Sequence, residues 1–437
     1  MRSLSRLLGV PPEKLRPVLR LGLVYGAVGG AVAVGDATVQ GLFVARVGAD
    51  RLPEVLFARA VVSPALAFAY ARLARPRSPR RVLAFLLGLA AVGAVAGRSL
   101  SDLGDTGVLS AYVLHEVLAS LVTVHWGVYL LHNLRGDDAL RGTPTIYAAA
   151  RLGAAVAGVG LVPLVAQAGA SVGFYAAASC FAAAALAAFF GHRAGPATGA
   201  PADSADSADI EGSSGAESDE EEAPRPSSFP GERSRGLHLV LASPLVGALA
   251  VATAVMVFVR FALRYQQQAL LEGVDEQDLV TLLALYTAAA NTVGVGIQLG
   301  LLGRFLNRFG LATTNLFYAG AVFIAQAALI LVPGVPAALG ARFADSELKH
   351  AIKTPLSSLF YQAFAPADRG PARAFVLGVV SPAAQILGAV GLAGAIAGAN
   401  LATVAYVGLG ATALFALATV ALNRSYESTK RRDRLRP

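Results

Sequence analysis

Over 437 residues, 55% are hydrophobic and only 15% charged, with 46 glycines and a mean hydropathy of +0.58. A soluble chain of this length needs more charge to wet its surface, so the composition excludes an ordinary soluble domain and points to the bilayer. The formal charge of +8 is spread over short loops and both tails rather than gathered into a nucleic-acid-binding face, and the lone Cys180 excludes an intramolecular disulfide.

The first apolar run follows Arg2, Arg6, Lys14 and Arg16 and is too long for the core of a cleaved signal peptide, so it is expected to be retained. Crossing a bilayer takes about 20 apolar residues. On that measure spans fall near 18–45, 54–73, 82–98, 108–132, 145–169 and 171–190. Six more follow near 237–265, 279–302, 311–332, 337–364, 374–397 and 400–422. The second and tenth are amphipathic and are expected to face the protein interior. Gly-rich stretches such as 26–35 lie inside a span, where small residues let helices approach closely.

Arginine marks alternate loops: Arg72, Arg75, Arg77, Arg80 and Arg81, then Arg135 and Arg141, Arg304 and Arg308, Arg369 and Arg373. The opposite loops hold only Arg46, Arg51 and Arg98, and one of them is acidic (Glu272, Asp275, Glu276, Asp278). The positive-inside rule then places both termini in the cytoplasm and requires an even number of spans in an inner membrane. The basic tail from Arg424 to Arg436 is expected to act as an anchor beside anionic lipid.

Between the sixth and seventh spans, the repeat from Asp203 to Asp209 and the run Asp219 to Glu222 cannot bury enough apolar surface to fold, which predicts a disordered cytoplasmic linker over 191–236. It is first of all a tether, with binding of a cytoplasmic partner as an alternative role. A shift of 231 positions places Arg77 on Arg308, Glu116 on Glu347 and Asp137 on Asp368. Together these features predict an all-α polytopic membrane protein of about twelve transmembrane helices, major facilitator-like, with six-helix halves over 1–190 and 237–437.

Charges inside spans are costly, about 2.5–3.5 kcal/mol each on insertion scales, and are functional candidates by default. Seven are cationic (Arg59, Arg151, Arg260, Arg264, Arg342, Lys349, Lys353) and four anionic (Asp36, Glu116, Asp345, Glu347), with His115 and His350 beside them. Arg260 and Arg264 share a helix face by their spacing, as do Asp345, Lys349 and Lys353. Pairing of Asp345 with Lys349, and of Glu116 or Asp36 with an arginine across the bundle, accounts for at most four cations. Snorkelling of Arg260, Arg264 and Arg342 from helix ends is the other structural possibility. A surplus of three cations in a central cavity attracts an anion, phosphate above all. Arg59, Arg151, Arg260, Lys349 and Lys353 are thus the candidate substrate-binding residues. Asp36, His115, Glu116, Asp345 and Glu347 are candidates for coupling or charge pairing. No nucleophile, phosphate-loop or metal motif appears, so neither catalysis nor a cofactor nor a metal is expected.

The segments Asp36-Ala37, Leu42-Phe43, Leu52-Pro53 and Tyr70-Ala71-Arg72-Leu73 resemble the opening of the ATP:ADP antiporter family of plastids and intracellular bacteria. Trp126-Gly127, His132-Asn133 and Arg151-Leu152-Gly153 resemble its fourth-to-fifth helix segment. Phe305 to Leu311 is similar to its helix 8/9 turn, and Pro371 to Phe375 to the turn before helix 11. The resemblance implies nucleotide exchange and carries over Asp36 and, more weakly, Lys349 and Lys353. Where that family has basic residues before the helix-1 aspartate, this chain has Val32-Ala33-Val34-Gly35. The expected function is therefore secondary transport of an anionic metabolite by alternating access, best a nucleotide. The alternatives are proton-coupled transport of another solute through His115 and Glu116, and a transporter-derived scaffold or sensor.

Overall fold

A computed structural model describes residues 12–74, 77–134, 137–190, 243–364, 366–398 and 401–434. The acidic segment 191–236 and the tail arginines Arg2 and Arg6 lie outside them. Lipid offers a backbone no hydrogen-bonding partner, and the apolar runs answer with helices throughout. The first half comprises α1 (Pro12–Arg46), α2 (Leu52–Ala74), α3 (Pro79–Leu100), α4 (Asp105–Asn133), α5 (Asp137–Ala168) and α6 (Val172–Phe190).

The second half opens with α7 (Pro244–Ala269). Then α8, from Glu276, continues through a π-helical turn at Ile297–Leu301 and meets α9, which ends at Leu331. The two part at Gly310, whose φ of 75° and ψ of 175° break the helix within the Phe305–Leu311 segment. Next, α10 covers 335–361 with a π-helical middle at Phe343–Lys353, and α11 covers 366–398 with a π-helical turn at Val376–Val380. Last comes α12 (Leu401–Arg434).

Among the described residues eleven helices are long and apolar enough to cross a membrane. The twelfth, α10, falls outside that measure because it carries Arg342, Asp345, Glu347, Lys349 and Lys353, yet its length of about 40 Å spans a bilayer. The expected spans all recur, with shifted ends. The basic tail continues α12 as far as Arg434, and α7 runs four residues past 265.

Small residues set the closest packing. A β-carbon on Gly153 of α5 would sit 1.9 Å from the Gly26 carbonyl oxygen of α1, and one on Gly29 would sit 2.2 Å from that of Ala150. The two helices therefore touch backbone to backbone.

Four apolar cores fix how the halves meet. One is shared by both halves and gathers Val34 to Leu56 with Leu161 to Ala178, Val257 to Ala284 and Ala384 to Leu392, around the loops after α1, α5 and α7. The others belong to one half each: Leu15 to Ala31 with Val82 to Ala90 and Leu118 to Leu134 in the first, and two clusters over 245–263 and 318–422 in the second. The halves thus close on each other at the end of loops 1/2 and 7/8 and keep separate cores at the end of the basic loops. α2 shows the consequence. Its amphipathic pattern predicts an inward face; Leu52 to Leu56 pack into the shared core and Tyr70 and Ala74 against the core of the first half, while Val61, Val62 and Phe68 between them are exposed.

Candidate functional site

Several of the charges that the sequence places inside spans converge between the halves, while Lys349 and Lys353 line a cavity within the second half. Glu116 of α4 accepts from two guanidinium groups: Arg59 of α2 at 2.9 Å, and Arg264 of α7, which also donates to the Tyr112 hydroxyl at 2.6 Å. The Arg264–Glu116 contact joins the two halves, as does Arg151 of α5 with Glu347 of α10. Within the second half, Arg260 Nε donates to Asp345 at 2.5 Å. His115 lies 3.0 Å from Asp36, and its ring fits only because residue 35 is glycine, where a β-carbon would stand 2.1 Å from Cε1.

Four of the seven cations are thus held by carboxylates. Asp345 pairs with Arg260 rather than Lys349, and Asp36 with His115 rather than an arginine. The π-helical stretch of α10 explains the first difference, because its i→i+5 bonds rotate side chains off the register that i,i+4 spacing assumes. None of Arg260, Arg264 and Arg342 snorkels to a helix end. Arg342 reaches across the halves, donating to Gln40 Oε1 and lying 5.4 Å from the centre of the Tyr286 ring.

Three cations, Arg342, Lys349 and Lys353, have no carboxylate within ion-pair distance among the described residues. Lys353 is 6% exposed, donates to Asn315 Oδ1 at 2.9 Å, and sits 5.7 Å from the centre of the Phe415 ring. With Lys349 it lines a cavity of about 210 Å³ in the second half, whose walls add Thr354, Ser357, Tyr361 and Arg373 and, among the described residues, hold no acidic one. Asymmetry follows: the first half contributes balanced pairs, the second the uncompensated charge.

Sequence reasoning missed a set of buried polar side chains near the charge pairs. Gln266, Gln267 and Gln268 are buried at the end of α7, and Gln268 donates to the Tyr112 hydroxyl at 3.4 Å. The Oε1 atoms of Gln267 and Gln268 and the Tyr286 hydroxyl are buried with no hydrogen-bond partner among the described residues. Three consecutive glutamines after an arginine pair are a usable signal, lost because the apolar run stops at 265. The pairs Glu116/Glu347, Arg77/Arg308 and Asp137/Asp368 each occupy corresponding places in the two halves: fourth helix, second-to-third turn, and start of the fifth helix.

No known family profile matches the chain, and no curated relative does. Solved structures do. A point mutant of the nucleoside transporter NupG superposes with a TM-score of 0.64 at 12% identity, over 93% of this chain and 99% of that one. A bacterial homologue of the iron transporter ferroportin, in an inward-facing state, gives 0.61 at 11% identity over 94% and 99%. The POT family transporter PepTSo gives 0.61 at 11% identity over 96% and 99%. This protein is a multi-pass membrane protein with the all-α, major facilitator-like fold of solved membrane transporters, its two six-helix halves enclosing a cluster of charges.

Proposed function

We propose that the protein is a secondary active transporter that moves an anionic small molecule by alternating access, with a nucleotide as the specific substrate class. The observation that carries this is the charge imbalance between the halves: seven cations face four carboxylates, and Arg342, Lys349 and Lys353 are left over. A phosphate supplies the missing charge, and cations held inside the helix bundle attract it more strongly than cations in bulk water. The buried, unpartnered amide oxygens of Gln267 and Gln268 offer acceptors for the N–H groups of a base or sugar hydroxyls. That one superposing structure is a nucleoside transporter, and that the segments around Asp36 and Arg151 resemble the ATP:ADP antiporter family, support the nucleotide.

On this reading the halves are 1–190 and 237–437, joined by 191–236. The basic loops support a cytoplasmic position for both termini at the inner membrane, and in that orientation the separated cores at that end are those of an inward-open conformation. The Asp36–His115 contact favours a second reading, in which a proton carried there drives transport.

The test is thermal unfolding of the purified protein with adenosine, AMP, ADP, ATP and inorganic phosphate. A ligand at a hundred times its Kd adds about 2.7 kcal/mol. Stabilisation is expected from the phosphorylated members and not from adenosine. Equal stabilisation by adenosine and ADP, or none by any anion, overturns the proposal.

A further inference from the structure

A second polar pocket, of about 480 Å³, lies at the end of the basic loops and shares no residue with the charge cluster between the halves. Three elements build it: the start of α3 (Ser78, Arg80, Arg81), the end of α4 (Tyr129, His132, Asn133) and Phe189 at the end of α6. Among the described residues no acidic one lines it. The N-terminus of α3 opens here, with Pro79 at its first turn and Ser78 as a cap whose side chain makes no capping bond. A helix start of this kind favours an anion, and two arginines in its first turn add to the field.

The pocket is held in shape from behind. His125 Nε2 lies 2.6 Å from the Pro79 carbonyl oxygen, which can only accept, so Nε2 carries the proton and Nδ1 accepts from the Tyr70 hydroxyl at 2.6 Å. Arg80 Nε donates to the Ala188 carbonyl oxygen at 3.1 Å, tying α3 to the end of α6, and its guanidinium lies 5.8 Å from the centre of the Phe189 ring. Arg81 and His132 are exposed and available to a ligand.

One wall is apolar and continuous with the outer surface: Phe189 and Phe190 pack edge to face and are 52% and 71% exposed. A free phosphate has no use for such a wall, whereas a lipid lays its chains there. We propose that this pocket binds the phosphate of an anionic phospholipid headgroup, with Arg81 and His132 as donors and the acyl chains against Phe189 and Phe190. The site is independent of what the protein transports.

The experiment titrates the full chain, purified in uncharged detergent, with short-chain phosphatidylglycerol, short-chain phosphatidylcholine and inorganic phosphate, reading Tm. Variants are R81Q/H132Q and R81K; Arg80 is left intact because it ties two helices. Phosphatidylglycerol is expected to raise Tm saturably and the other two not at the same concentrations. A basic side chain near an anionic surface contributes enough that R81Q/H132Q shifts the phosphatidylglycerol midpoint about fivefold or more, while R81K retains it. Should the double variant not fold, R81Q alone is read the same way. Equal response to phosphatidylcholine, or an unchanged midpoint in the variant, overturns the site. Saturation by inorganic phosphate that is lost in R81Q/H132Q means a free-phosphate site and overturns the lipid assignment.

Discussion

Replacing Glu116 by Gln should unfold the protein more readily, whereas Lys349→Gln should not, and the contrast separates structural from ligand-binding charge. The Glu116 carboxylate is 14% exposed and shared by Arg59 and Arg264, themselves 29% and 13% exposed. Gln keeps the shape but leaves two guanidinium groups facing each other without an anion. Breaking a buried pair on one side typically costs about 3–5 kcal/mol. At about 2–4 °C per kcal/mol for a unit the size of one half, Tm should fall by about 6–20 °C. Lys349 has no carboxylate within ion-pair distance among the described residues and feels Arg260, Arg59 and Arg264 as well as Asp345, so its loss relieves more repulsion than attraction and should leave Tm within about 2–4 °C of wild type. The assay is thermal unfolding of purified E116Q and K349Q in the same detergent without ligand. A K349Q protein as unstable as E116Q would show that Lys349 is a structural charge and refute the reasoning.

Three further outcomes follow from the packing between and within the halves. Arg46 holds Glu276 through two bonds, at 2.6 and 2.9 Å, across the closed end. A partly exposed pair is worth up to about 1 kcal/mol, so R46E should raise the population open at that end about fivefold, and R46E/E276R should restore it; spin labels at the exposed Leu103 and Val332 measure the change. At Gly158 of α5 a β-carbon would lie 2.6 Å from the Ala284 carbonyl oxygen of α8, so Gly158→Val should hold the same labels apart in nearly all molecules. Gly153→Ala, against the Gly26 carbonyl oxygen, is overpacking within the first half and should cost about 1–3 kcal/mol, seen as a lowered Tm with unchanged label distances.

The membrane fold is legible because its cause is local: an apolar run in lipid has no choice but to be a helix, and runs divided by Arg-rich loops count themselves. Gly310 is likewise readable, as a glycine inside Phe305–Leu311 where the chain must reverse. What the sequence hides depends on partners. Nothing near Arg151 says that its acid is Glu347 on another half, or that Glu116 serves two arginines. The pairing of Asp345 with Arg260 escapes because i,i+4 spacing assumes an α-helix, and α10 is π-helical there. The exposure of Val61, Val62 and Phe68 on α2 is also invisible, since it reflects how the halves sit and not the helix's own amphipathicity. By contrast, the count of three cations beyond pairing needs only arithmetic on charges, and Arg342, Lys349 and Lys353 are the ones left over.

The most direct test of an anion-transporting cavity is uptake of labelled ADP by vesicles reconstituted with the purified protein and loaded with unlabelled nucleotide. Uptake above protein-free vesicles is expected for ADP and not for adenosine. K349Q should fold normally yet lose about tenfold or more of the apparent affinity, since a charge-assisted contact is worth about 1.5–3 kcal/mol. Adenosine uptake without ADP uptake, or ADP uptake undiminished in K349Q, would contradict a cavity whose surplus positive charge selects the substrate.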